Sequence, residues 1–163
     1  MNIHAADALD RAAGLLEQQL ALFLQYEQQT FQITAGAPEQ IPSCMEERLR
    51  LQREIDWISQ ELRALCQDLP EGEQILSAVF RSRSCQELPP EYRGLFSQSM
   101  GIRAAVQRIQ ELEPQALERM ESTRDSLLEQ IKSINQGNEA VVSRYYRSTS
   151  PKAGEQKRTF LKL

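Results

Sequence analysis

Between residues 117 and 145 the chain carries an apolar seam that cannot stand in water by itself. Leu117, Met120, Arg124, Leu127, Ile131, Ile134, Asn138, Val141 and Tyr145 follow one another in steps of three and four. That spacing puts all nine on one face of a helix, with Arg124 and Asn138 as its two polar interruptions. A face of this length must be covered either by other helices of the chain or by a segment of another protein.

The rest of the chain has the same period. Leu9, Ala13, Leu16, Leu20 and Phe23, widened by Leu24 and Phe31, make a stripe on a first helix expected from about Ala5 to Ile33. Ala35-Gly36-Ala37-Pro38 ends it, glycine suiting a left-handed cap and proline being unable to continue a helix. Ser43 and Glu46 have capping-box spacing, and the second helix follows with an unbroken seam of Leu51, Ile55, Ile58, Leu62, Leu65 and Leu69. Trp57 beside that seam is expected to pack on a neighbouring helix. Pro70 and Gly72 close the segment. Ile75, Leu76, Val79 and Phe80 suggest a short helix over one end of a bundle, and Pro89-Pro90 opens the next long region.

In that region Leu95, Gln98, Ile102, Ala105, Ile109, Leu112 and Ala116 are in phase, and Leu117 is one position out of step. Pro114 removes the hydrogen bond to the Gln110 carbonyl, so a kink or a break is expected there, with a new helix opening at Pro114 and a redirected face beyond it. With 163 residues, 40% of them hydrophobic and only 6% aromatic, the chain can bury a mainly aliphatic core without disulfides or metals. No alternating apolar run argues for a sheet.

Several function classes lack their residues. Cys44, Cys66 and Cys85 are widely spaced, and the single histidine, His4, lies at the start of the chain, so reduced thiols and no metal or other cofactor are expected. There is no phosphate-binding glycine loop, zinc-protease motif or nucleophile elbow, and the paired glutamates Glu46/Glu47 and Glu111/Glu113 fit solvated helix faces. An enzyme is not expected. No basic-then-apolar leader and no window of ~18 apolar residues occurs, so the expectation is a cytoplasmic protein with no stable membrane insertion. From Arg144 to Leu163 six basic residues meet one acidic, a net of +5 within a chain of net −4, which leaves −9 on the remainder. Such a tail invites partner electrostatics. The body is acidic and Arg81-Ser82-Arg83-Ser84 has no interleaved aromatics, so nucleic acid is not the expected partner.

Three long amphipathic helices, a short one and a basic tail resemble, in that order, the flagellar export chaperones of the FlgN and FliT type. The run Leu127-Leu128, Ile131, Ile134, Gly137, Ala140, Tyr145-Tyr146 and Phe160-Leu161 is similar to the ending of such proteins in Gram-positive bacteria. Many of those carry an aspartate near the terminal aromatic, where this chain has Lys157, Arg158 and Thr159. The resemblance implies a cytosolic type III export chaperone. Such a protein holds the C-terminal amphipathic segment of a late export substrate, a hook-filament junction or filament cap protein, and hands it to the export apparatus.

The expected fold is therefore all-α: an elongated antiparallel bundle or coiled coil over residues 1–146, with a flexible basic tail over 147–163. The expected partner-binding residues are Leu117, Met120, Arg124, Leu127, Ile131, Ile134, Asn138, Val141 and Tyr145. Two other readings compete for that seam. It is the internal third element of a closed bundle, or it closes a homodimer in a coiled-coil adaptor without cargo.

Overall fold

The computed structural model describes residues 3–149. The protein is all-α: α1 (Ile3–Ala35), α2 (Ile41–Gln67), the short α3 (Gly72–Phe80) and α4 (Arg93–Thr149), with single 3-10 turns at Pro38–Gln40, Cys85–Glu87 and Pro90–Tyr92. No strand occurs among the described residues. By its internal contacts the chain divides into two units, Met1–Met120 and Glu121–Leu163. Most of the tail expected over 147–163 lies outside the described residues; 147–149 are the last residues of α4.

Within the first unit the helices run up, down and up. The Gln19 amide donates to Ser59 Oγ at 2.9 Å, Arg48 donates to the Tyr26 hydroxyl at 2.7 Å, and Cys44 Sγ faces Gln32 Oε1 at 3.7 Å, so α1 and α2 are antiparallel. Gln98 reaches the Ala13 carbonyl, Arg108 pairs with Glu27, and Arg119 reaches the Thr34 carbonyl. The first half of α4 is thus parallel to α1. One short loop joins α1 to α2, and the longer segment that carries α3 joins α2 to α4.

The larger core lies at the α3 end. Ala8, Ala12 and Leu16 of α1 meet Ile58, Leu62 and Cys66 of α2, Ile75, Ala78 and Val79 of α3, and Leu88, Tyr92 and Leu95. Side chains such as Leu16, Leu51, Leu62 and Ile75 are almost fully buried, each worth about 1.5–3 kcal/mol of transfer free energy. At the opposite end Ile33, Cys44 and Ala116 form a small cluster, with Met120 packed against it. Between the two, Arg48 joins all three long helices, stacked over the Tyr26 ring at 4.7 Å and ion-paired with Glu113.

Several local expectations are corrected. Pro114 neither ends a helix nor starts one: α4 is a single helix of 57 residues. Ile109 and Ala116, on either side of it, are both buried, so packing holds both flanks across the missing hydrogen bond. Ser43 and Glu46 form no capping box, because α2 already starts at Ile41 and the Ser43 hydroxyl turns back to the Gln40 carbonyl at 3.2 Å. Gly36 is not left-handed. Its role is close approach: it donates to the Gln32 carbonyl at 2.7 Å, and a Cβ there would come within 2.5 Å of that oxygen. Gly72 is tighter still, since a Cβ would sit 1.9 Å from the Cys66 carbonyl oxygen where α3 folds back on the end of α2. Trp57 does not settle into a helix interface; it is 54% exposed beside a shallow groove lined by Gln18, Ala21 and Leu22 of α1.

Candidate partner-binding face

The nine seam residues divide between the two units. In the first, Met120 packs on the Ile33–Cys44–Ala116 cluster, four residues after Ala116 and so in step with it. Leu117, one residue out of step, is 53% exposed. Arg119, between them, sends its fork to the end of α1, reaching the Thr34 carbonyl at 3.0 Å and the Gly36 carbonyl at 2.8 Å. Those carbonyls have no partner further along their own helix, and a guanidinium suits them in both geometry and charge.

In the second unit the helix from Glu121 to Thr149 carries Leu127, Ile131, Ile134, Val141 and Tyr145 on one face at 3–4 spacing, all between 52% and 65% exposed. Arg124 and Asn138, the polar seam positions, are exposed as well. The spacing rule followed a single line and left out Leu128, Val142 and Tyr146, which flank it and are each about half exposed or more. Each follows a seam residue, Leu127, Val141 or Tyr145, by one position, which is the signal that places them at the edge of the same face. With them the seam becomes a broad apolar face, wider than a two-position coiled-coil line. The Tyr145 and Tyr146 rings meet edge to face, with centroids 6.2 Å apart, and the Ser148 and Thr149 hydroxyls donate to the Tyr145 carbonyl at 2.8 and 2.9 Å.

Charge on this stretch is balanced. Glu121, Asp125, Glu129 and Glu139 are matched in number by Arg124, Lys132, Arg144 and Arg147. Arg124 lies 3.2 Å from Asp125, and Lys132 3.7 Å from Glu129, both exposed pairs of the kind that add little stability. The helix thus offers an apolar face of tens of ångströms with no net charge to repel a partner of either sign.

In the first unit two buried titratable groups belong to the fold. Burial pushes the Cys66 thiol above its ordinary value, and burial, then Glu71 and Glu91, does the same to the Tyr92 phenol. Cys44 and Cys66 are buried and Cys85 half-buried, all as free thiols. Among the described residues no three His, Cys, Asp or Glu side chains converge on a point where a metal ion would sit, and no helix is long and apolar enough to cross a membrane. No protein-family model, curated protein or solved structure matches this chain.

Proposed function

We propose that this chain is a non-catalytic binding protein that captures an amphipathic helix on the apolar face of residues 124–145. One observation carries the reading: Leu127, Ile131, Ile134, Val141 and Tyr145 share a helix face and keep half or more of their surface in solvent. An amphipathic helix from a partner buries such a face by supplying the matching apolar stripe at i, i+3, i+4 and i+7. Arg124 and Asn138 set its register, since a partner must place polar groups opposite them or leave them unsatisfied.

The partner class follows from the resemblance in helix order and C-terminal sequence. On that basis the chain is a cytoplasmic flagellar export chaperone. Its ligand is the C-terminal amphipathic segment of a hook-filament junction or filament cap protein, which it keeps from assembling before delivery to the export apparatus. The test is a binding titration of the full chain with peptides from the C-termini of those substrates of the same organism. Saturable binding that Ile131→Glu/Ile134→Glu removes supports the reading. No binding by any of them refutes the export assignment and leaves the helix-binding one to other partners.

Asn138 favours a second reading. In the heptad that puts Leu127 and Ile134 at d it occupies an a position, where asparagine specifies paired coiled coils, and the balanced charge permits self-association. A homodimeric adaptor would sediment as a dimer across a dilution series with no cargo present.

A further inference from the structure

At the α3 end of the first unit, α1, α2, α3 and α4 line a cavity of about 250 Å3 that is open to solvent on one side. Its walls are mainly apolar, with Leu16, Leu62, Val79 and Ile102 among them, and its polar lining is Gln19, Ser59, Ser99, Arg81 and Arg103. No carboxylate lines it.

Three of the five polar groups are already committed to the fold. The Gln19 amide donates to Ser59 Oγ, Ser59 donates to the Ile55 carbonyl at 3.2 Å, and Ser99 to the Phe96 carbonyl at 2.7 Å. The two arginines are not. Arg81 Nε is buried without an acceptor, and the nearest partner of its Nη1 is the weakly accepting Met100 thioether at 3.9 Å. Arg103 makes no ion pair with a described residue and adds a like charge beside Arg81. Burial, and then that charge, pushes the Arg81 guanidinium below its ordinary value.

Arg81 is also the one non-glycine residue at positive φ among those described, at 52°. The left-handed turn after α3, closed by bonds from the Arg81 and Ser82 amides to the Ser77 carbonyl, brings this side chain to the cavity. Glycine would be the unstrained choice there. An arginine held in this conformation, with a buried N–H lacking an acceptor, calls for a counter-group.

We propose that this cavity binds a small organic carboxylate with an apolar body. The carboxylate accepts hydrogen bonds from Arg81 and Arg103, and the body lies against Leu16, Leu62, Val79 and Ile102. The fork geometry of a guanidinium matches a carboxylate. Inorganic phosphate suits the site less, because with Gln19, Ser59 and Ser99 already engaged its further oxygens would face apolar walls. The site lies wholly within the first unit and does not depend on the helix-capture reading.

The test is calorimetric titration of the full chain with hexanoate, alongside 1-hexanol and inorganic phosphate. Arg81→Gly removes the guanidinium while suiting the left-handed backbone, and Arg103→Gln changes an exposed position. The expected result is saturable hexanoate binding, weakened about tenfold or more by either substitution, with both variants retaining native circular dichroism. The proposal is overturned if hexanoate gives no saturable heat, or if 1-hexanol binds as tightly, which would mean an apolar cavity alone. It is equally overturned if phosphate binds more tightly than hexanoate, or if Arg103→Gln leaves hexanoate affinity unchanged.

Discussion

Replacing Ile131 and Ile134 together by glutamate separates a partner face from a folded core. In the structure these side chains are 52% and 62% exposed, so folding of the chain gains little from them. Glutamate is a good helix former, and surface substitutions of this kind shift stability by about 0.5 kcal/mol or less each. Leu62→Ala is the contrast: that side chain is 1% exposed, and its truncation is expected to cost about 2–5 kcal/mol. Binding should respond in the opposite order. Fully burying an isoleucine is worth about 1.5–3 kcal/mol, and roughly half of each remains to be buried by a partner, so the pair contributes about 2–3 kcal/mol to capture. Its loss alone weakens binding about 30- to 150-fold, before the added cost of two carboxylates facing an apolar stripe. Circular dichroism and urea unfolding measure the first quantity, and peptide titration or sedimentation the second. A fall in unfolding free energy comparable to that of Leu62→Ala would refute the reasoning, because it would make this face part of the folded core.

Four further outcomes follow from the geometry. Gly14→Ala should stabilise the first unit by about 0.5–1 kcal/mol, since nothing lies within 4 Å of the added methyl in the middle of α1. Gly72→Ala should destabilise it by about 1–3 kcal/mol, because the methyl would collide with the Cys66 carbonyl and force α3 off the end of α2. Arg119→Ala should cost about 1–3 kcal/mol in urea unfolding through the two carbonyls it leaves behind, and Arg119→Lys should not restore it, lacking the fork. Stability should hold below about pH 8.5 and fall as pH rises beyond it, because the native state keeps protons on Cys66 and Tyr92 that the unfolded chain releases; Cys66→Ala should flatten the first part of that decline.

The four helices were legible in the sequence because each carries its own period. The steps of four and three from Leu51 to Leu69, and the proline and glycine punctuation at 35–38, are local properties that an amphipathic helix expresses wherever it packs. The apolar face of residues 124–145 was legible for the same reason, as a face in need of cover. Leu128, Val142 and Tyr146 lie off the single line of three-and-four spacing and so fall outside the seam, though they widen the same face.

What the sequence determined by itself, then, was an all-α chain and the existence of an apolar seam near its end. Which side chains of that seam are spent on the fold was decided only in three dimensions. Met120 is partly covered because Ile33 and Cys44 come from other helices to meet it, whereas Leu117, equally apolar and three residues earlier, is 53% exposed. Pro114 reads as a break on its own, yet α4 runs through it because buried contacts at Ile109 and Ala116 hold both sides. Arg81 and Arg103 lie 22 residues apart in the chain and share a cavity only through the turn after α3 and the packing of α4. Periodicity reports what one helix would bury; burial itself is a property of several helices together, and no single stretch of sequence contains it.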